Sequence, residues 1–144
     1  MDKYKAWDKV EEIMSEVAEI DFVEKTVILK NDIYDDNVYL QGYIERNFDQ
    51  VELLQYTGLD DIDGKGIYAG HILKISVDKD KVRNGWQKDI KPVYVEVSFN
   101  NFHWSCSNGE GKSLYNYLTI SFIIMEIAGN IFENPELLEY EGDE

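Results

Sequence analysis

From Val51 to Asn130 the chain is dominated by a two-residue rhythm of apolar and polar positions. Val93, Val95, Val97 and Phe99 fall on one side of an extended segment, with Tyr94, Glu96 and Ser98 on the other, as in a half-buried strand. Asn100-Asn101 separates this segment from one in which Phe102, Trp104 and Cys106 share a side, so the two form a hairpin. Val51, Leu53 and Gln55 alternate with Glu52, Leu54 and Tyr56, and Gly58 offers an exit from that strand. Asp60-Asp61-Ile62-Asp63-Gly64 predicts a turn, because Asp side chains accept from nearby backbone N–H groups, and a strand returns over Gly66 to Val77. Thr119 to Ala128 is apolar on both sides apart from Glu126, the pattern of a central strand that Gly129-Asn130 ends. Asn134 can cap and Pro135 can open a short helix through Leu137, Leu138 and Tyr140.

The first fifty residues are less clear. Trp7, Val10, Ile13, Met14, Val17 and Ala18 follow the three-or-four spacing of an amphipathic helix. Residues 31 to 50, rich in Asn and Asp around Tyr34, Tyr39 and Tyr43, show no clean period and predict a long connection with one short helix. Asp78 to Lys91 predicts a second, charged connection, with Trp86 folded back onto the core. Six or more short strands, no repeat and no linker predict a mainly β chain with minor α, an antiparallel barrel or roll.

Composition sets the class. The chain has 144 residues, 44% of them hydrophobic and 13% aromatic, enough for one core in a single domain. Residues 1–50 supply N-terminal strands and a variable connection, and residues 51–140 the barrel core with its C-terminal helix. No apolar run follows a basic start and none is long enough to cross a bilayer, which predicts no secretion signal and no membrane association. Cys106 is the sole cysteine, which excludes an internal disulfide and suits a reducing cytoplasm. Acids outnumber bases 29 to 14, a net charge of −15 that opposes binding to nucleic acid.

Candidate chemistry does not assemble. Gly111-Lys112-Ser113 imitates the end of a P-loop, but Cys106 stands where the opening glycine is needed. Asp61-Ile62-Asp63-Gly64 imitates a calcium loop, yet Leu59 and Gly70 occupy its first and twelfth positions. Gly64, Gly66 and Ala69 have dinucleotide-fingerprint spacing without a following helix. His71, His103 and Cys106 are the residue types of a zinc site, and Cys106 with His103 the types of a nucleophile and base; on one strand, positions 103 and 106 face opposite ways. The expectation is no catalytic residue, no metal and no cofactor.

Three separated segments, Lys5-Ala6-Trp7-Asp8, Gln55-Tyr56-Thr57-Gly58-Leu59 through Gly70, and Gly129 through Leu138, resemble the YopX proteins of bacteriophages and prophages. That resemblance implies a small SH3-like antiparallel β-barrel with extra N-terminal strands. It implies strands rather than a helix over residues 3–20, with a hairpin from Ile20-Asp21-Phe22 to Thr26-Val27-Ile28-Leu29, and it implies that Tyr56 and Tyr68 pack across a hairpin. Many relatives carry an acidic pair where this chain has Ala69 and His71. The implied setting is the cytoplasm of a phage-infected bacterium. Together, an acidic surface, abundant aromatics and unassembled chemistry predict a non-enzymatic phage or prophage accessory protein that binds an unknown protein partner or itself. The competing expectations are an acidic DNA mimic that inhibits a host protein, and a small-molecule-binding or enzymatic barrel.

Overall fold

The computed structural model describes residues 3–82, 91–100, 103–107 and 123–139. Internal contacts divide the chain into two compact units, Met1–Tyr56 and Thr57–Glu144.

The first unit contains β1 (Tyr4–Asp8), β2 (Ile13–Asp21), β3 (Thr26–Lys30), β4 (Ile33–Asp35), β5 (Val38–Leu40), β6 (Tyr43–Asn47), a 3-10 turn (Phe48–Gln50) and the first half of β7 (Val51–Asp60). Its sheet has the order β6-β3-β2-β1-β7, antiparallel throughout. The helical spacing over residues 7–18 therefore belongs to two strands. A bulge between Val17 and Glu19 shifts the pleat by one position, so Val17 and Ile20 both meet the core at a spacing of three. Of the apparent helix face, Val10, Ile13 and Ala18 are exposed and Trp7 and Met14 half-buried, so only Val17 joins the core. The core is Ala6, Val17, Val27, Leu29 and Val51, with Tyr4, Ile20, Ile44, Phe48 and Leu53 packed against it. Each fully buried aliphatic side chain here stabilises the unit by about 1.5–3 kcal/mol.

Residues 31 to 50 are not a long irregular connection. Asp36 and Asn37 both have positive φ, 35° and 72°, the backbone of a tight two-residue hairpin turn, and they join β4 to β5. The short helix expected in this stretch is the 3-10 turn at Phe48–Gln50.

The second unit contains the far half of β7, β8 (Gly66–Tyr68), β9 (His71–Val77), β10 (Val93–Asn100), β11 (His103–Ser107), β12 (Ile123–Asn130) and a 3-10 turn (Pro135–Glu139). β8 neighbours β7, whereas the other four strands form a separate sheet in the order β11-β10-β9-β12. The strand expected over Gly66 to Val77 thus breaks at Ala69-Gly70, where Gly70 takes φ 88°. Gly58 has φ 87° but does not end its strand, because β7 continues to Asp60. Thr57 Oγ1 supports this irregular stretch, accepting from Leu59 N at 3.1 Å and donating to Ile67 O at 2.7 Å. The core gathers Ile67, Leu73, Ile75, Val95 and Val97, with Leu59, Ile123, Met125 and Ile127 against it. Val95 and Val97 are buried as expected for a half-buried strand, whereas Val93 and Phe99, at its two ends on the same side, are exposed.

Three expectations are corrected. Among the described residues β12 ends the order of its sheet rather than lying centrally, and a bulge between Ile127 and Gly129 interrupts its register with β9. Among the described residues the sheets do not close into a barrel: closure needs the terminal strands to hydrogen-bond to each other, and β11 and β12 stand at opposite ends of their sheet. The C-terminal segment forms a five-residue 3-10 turn, with Leu137 N donating to Asn134 O at 3.1 Å. Asn134 Oδ1 reaches back to accept from Asn130 N at 3.2 Å. The expectations for Trp86, Phe102, Gly111-Lys112-Ser113, Tyr140 and the first residues of the Thr119 segment lie outside the described residues.

Candidate functional site

β3 and β6 pair from Thr26 opposite Asn47 to Lys30 opposite Tyr43. β4 and β5 carry the same register onward, from Ile33 opposite Leu40 to Asp35 opposite Val38, and Asn31 N donates to Gly42 O at 2.8 Å between the two pairings. The four strands are therefore one two-stranded ribbon running from Thr26 to Asn47. Its base belongs to the sheet. Its distal part, residues 31 to 42, is a two-stranded sheet of its own, about 20 Å long at the usual rise per residue. Gly42 is required where it stands, since a Cβ there would overlap Asn31 O.

The distal ribbon is apolar without being buried. Tyr34 is 77% exposed and Tyr39 54%, with Val38, Leu40 and Tyr43 similarly open. Tyr34 and Tyr39 are cross-strand partners whose rings lie 5.0 Å apart at 42°. Tyr39 Oη donates to Asp32 Oδ2 at 2.9 Å. This bond, with smaller contributions from desolvation and nearby charge, pushes the Tyr39 phenol above its ordinary pKa of 10.0. Asp32 Oδ1 also accepts from Gly42 N at 3.3 Å, and Gln41 Nε2 donates to Tyr43 Oη at 2.6 Å. The surface is thus a pair of tyrosines in tilted ring contact beside an exposed carboxylate that holds one of them in place. Large side chains left in water on a ribbon make it a candidate contact surface.

The residues singled out by type behave differently. His71 Nδ1 accepts from Tyr68 N at 2.9 Å, and the two rings meet edge to face at 5.9 Å. β11 runs through His103 and Cys106 in unshifted register, with Asn100 opposite His103 and Val97 opposite Cys106. Among the described residues, no group of three or more His, Cys, Asp or Glu side chains could hold a metal ion. Asp61, the centre of the calcium-loop imitation, has its lone pairs taken by protein. Its Oδ1 accepts from Asp63 N and Lys65 N, both at 2.9 Å, and its Oδ2 from Ile127 N at 3.1 Å. Burial alone would raise its pKa, but these three donors and the charge of Lys65 hold it below the ordinary 3.8. Burial pushes the half-buried Glu96 carboxyl up from its ordinary value.

Two features escaped sequence reasoning. Asp8, only 1% exposed, accepts from Arg46 Nε at 3.1 and 3.3 Å and from Val10 N at 2.9 Å. It joins the first hairpin turn to the strand at the other end of the sheet, and no sequence period links positions 8 and 46. The ribbon did leave a signal, because Asp36-Asn37 sits between Ile33-Tyr34-Asp35 and Val38-Tyr39-Leu40 as a hairpin turn does between strands. Two surface cavities lie on the first unit. One, of about 330 Å³, is lined by Glu24, Lys25, Asn47, Phe48 and Asp49; the other, of about 140 Å³, by Glu19, Asp21, Thr26, Ile28 and Glu45. Neither lining pairs a nucleophile with a histidine base.

The fold is shared with solved structures. Protein EF1440 from Enterococcus faecalis superposes with a TM-score of 0.58 at 21% identity, covering 94% of this chain and 96% of that one. Protein yopX from Bacillus subtilis superposes with a TM-score of 0.54 at 20% identity over the same shares. No curated protein matches. Residues 3–139 match the model of the YopX protein family from the first strand to the final 3-10 turn, and the chain therefore belongs to that family.

Proposed function

We propose that this YopX-family chain is a non-enzymatic protein-interaction module of phage or prophage origin, acting in the bacterial cytoplasm, and that the distal ribbon is its contact surface. The observation that carries this reading is the exposure of Tyr34, Val38, Tyr39 and Leu40 on a ribbon of regular register. Folding leaves such residues in water at a cost that a partner offsets by covering them. A bacterial setting is supported by family membership and by two bacterial structural neighbours. The net charge of −15 argues against nucleic acid as the partner.

The test compares the full chain with a Tyr34→Ser/Tyr39→Ser variant. A partner captured from bacterial lysate is purified, and its affinity for both proteins is measured directly. The expected result is binding that the double substitution weakens at least tenfold while the chain stays folded. Equal affinity of the two proteins, or turnover of a small metabolite in place of partner binding, refutes the proposal.

A further inference from the structure

The ribbon carries information about the chemistry of what covers it. Between Asn31 and Gly42 there are three acids, Asp32, Asp35 and Asp36, and no lysine or arginine. The nearest cation on the ribbon, Lys30, is engaged with Glu16 Oε2 at 3.3 Å. The tyrosine side therefore offers two ring faces, the negative ends of their quadrupoles, beside an exposed carboxylate. Asp32 spends one lone pair on Tyr39 Oη and another on Gly42 N, and as an exposed carboxylate it retains capacity for further donors.

A second copy of this chain is a poor match for that surface. Each copy carries −15, and three of its acids and no cation lie on the distal ribbon, so apposed ribbons repel. A cationic partner gains on both counts. Lysine brings a strongly hydrated point charge. Arginine brings a planar guanidinium that stacks on a tyrosine ring and presents a fork of N–H donors to an adjacent carboxylate. The ring pair and Asp32 supply both halves of that recognition.

We propose that Tyr34, Tyr39 and Asp32 at the end of the ribbon form a receptor for an arginine side chain of a basic protein segment. The inference rests on the reading of the ribbon as a contact surface and adds the partner's chemistry. One guanidinium lies over the tyrosine pair with its N–H edge turned to Asp32, and neighbouring basic residues of the segment meet the acidic tip.

The experiment uses the full-length chain labelled with nitrogen-15 and three short peptides in which arginine, lysine or glutamate alternates with glycine. Amide shifts are followed through each titration at moderate salt, for wild type and for Tyr34→Ala/Tyr39→Ala. Because both tyrosines are exposed, the variant is expected to fold, and its unperturbed spectrum outside the ribbon checks this. The expected result is shifts centred on residues 31–42 with the arginine peptide, several-fold weaker binding of the lysine peptide and none of the glutamate peptide. The tyrosine variant is expected to bind the arginine peptide about tenfold more weakly, the loss of two exposed cation–π contacts. Equal binding of arginine and lysine peptides with no effect of the tyrosines overturns the proposal, as does binding centred elsewhere or no binding. Sedimentation provides the separating control. A dimer that dissociates on Tyr34→Ala/Tyr39→Ala, with no peptide binding, overturns the arginine receptor but leaves the ribbon as a contact surface. A purified partner indifferent to both tyrosines removes the contact surface itself.

Discussion

Asp61→Asn removes one charge and exchanges one oxygen for an NH2 group, and the structure says where that exchange costs. In the folded second unit, one carboxylate oxygen serves the two turn amides of Asp63 and Lys65, and the other serves Ile127, sixty-six residues away. The asparagine carbonyl oxygen can keep the turn pair, but its NH2 then faces the Ile127 N–H, donor against donor. A buried donor left without an acceptor costs about 1–3 kcal/mol. Asp61→Ala strips all three bonds and is expected to cost about 3–4 kcal/mol, less than three independent bonds would sum to because the turn can partly resolvate. The folded carboxyl titrates below the ordinary 3.8, so between those two values the unfolded chain binds more protons than the folded one. Its stabilising contribution is therefore complete above about pH 4 and drains away as pH falls through the folded value. Urea unfolding of wild type and Asp61→Asn at pH 7 and at stepped acid pH, followed by tryptophan fluorescence, should show a gap that narrows on acidification. Hydrogen exchange at the Ile127 amide should be faster in the variant. Identical urea midpoints at pH 7 together with unchanged exchange at Ile127 would refute the assignment of Asp61 as the tie between the turn and β12.

Three further outcomes are expected. Arg46→Ala leaves the Asp8 carboxylate buried without its cation and should lower stability by about 3–5 kcal/mol in denaturant titration; a loss under 1 kcal/mol contradicts the buried pair. Gly129→Ala drives a methyl group into the Asn134 carboxamide and should cost about 1–3 kcal/mol, part of it recovered in Gly129→Ala/Asn134→Ala, whereas strictly additive losses exclude the clash. Glu12→Gly and Lys25→Gly, at positions with φ 57° in hairpin turns, should each raise the melting temperature, by a net gain of about 0.5–1 kcal/mol after the entropy of glycine is counted. A lowered melting temperature at both positions shows that the left-handed backbone there is not strained.

Much of the fold was legible as period and punctuation. The period of two at Val93 to Phe99 yields β10, and the aspartates at 60, 61 and 63 yield a turn, because both signals act over a few residues of chain. The segments at residues 5–8, 55–70 and 129–138 brought the correct family and, with it, strands in place of an apparent N-terminal helix. The helix signal misled because Val10 and Ile13 lie exposed at the turn joining β1 to β2 and Ala18 is exposed on β2, so the apolar residues at helical spacing never share one buried face. The ribbon was read as an irregular connection because its two distal strands are only three residues each, too short to display the alternation that marks a half-buried strand.

Local features are written in the order of residues: which stretches extend, where they turn, how strongly acidic the chain is, and which family the pattern belongs to. Tertiary structure alone decided the partnerships over distance. It set Arg46 on Asp8 and Ile127 on Asp61, broke the Gly66 to Val77 strand between two sheets, left those sheets unclosed, and kept the ribbon's tyrosines in water. The physical reason is that backbone preference and side-chain period act between near neighbours, whereas burial and the pairing of buried polar groups depend on which strands become adjacent. That adjacency is settled by the packing of the whole unit.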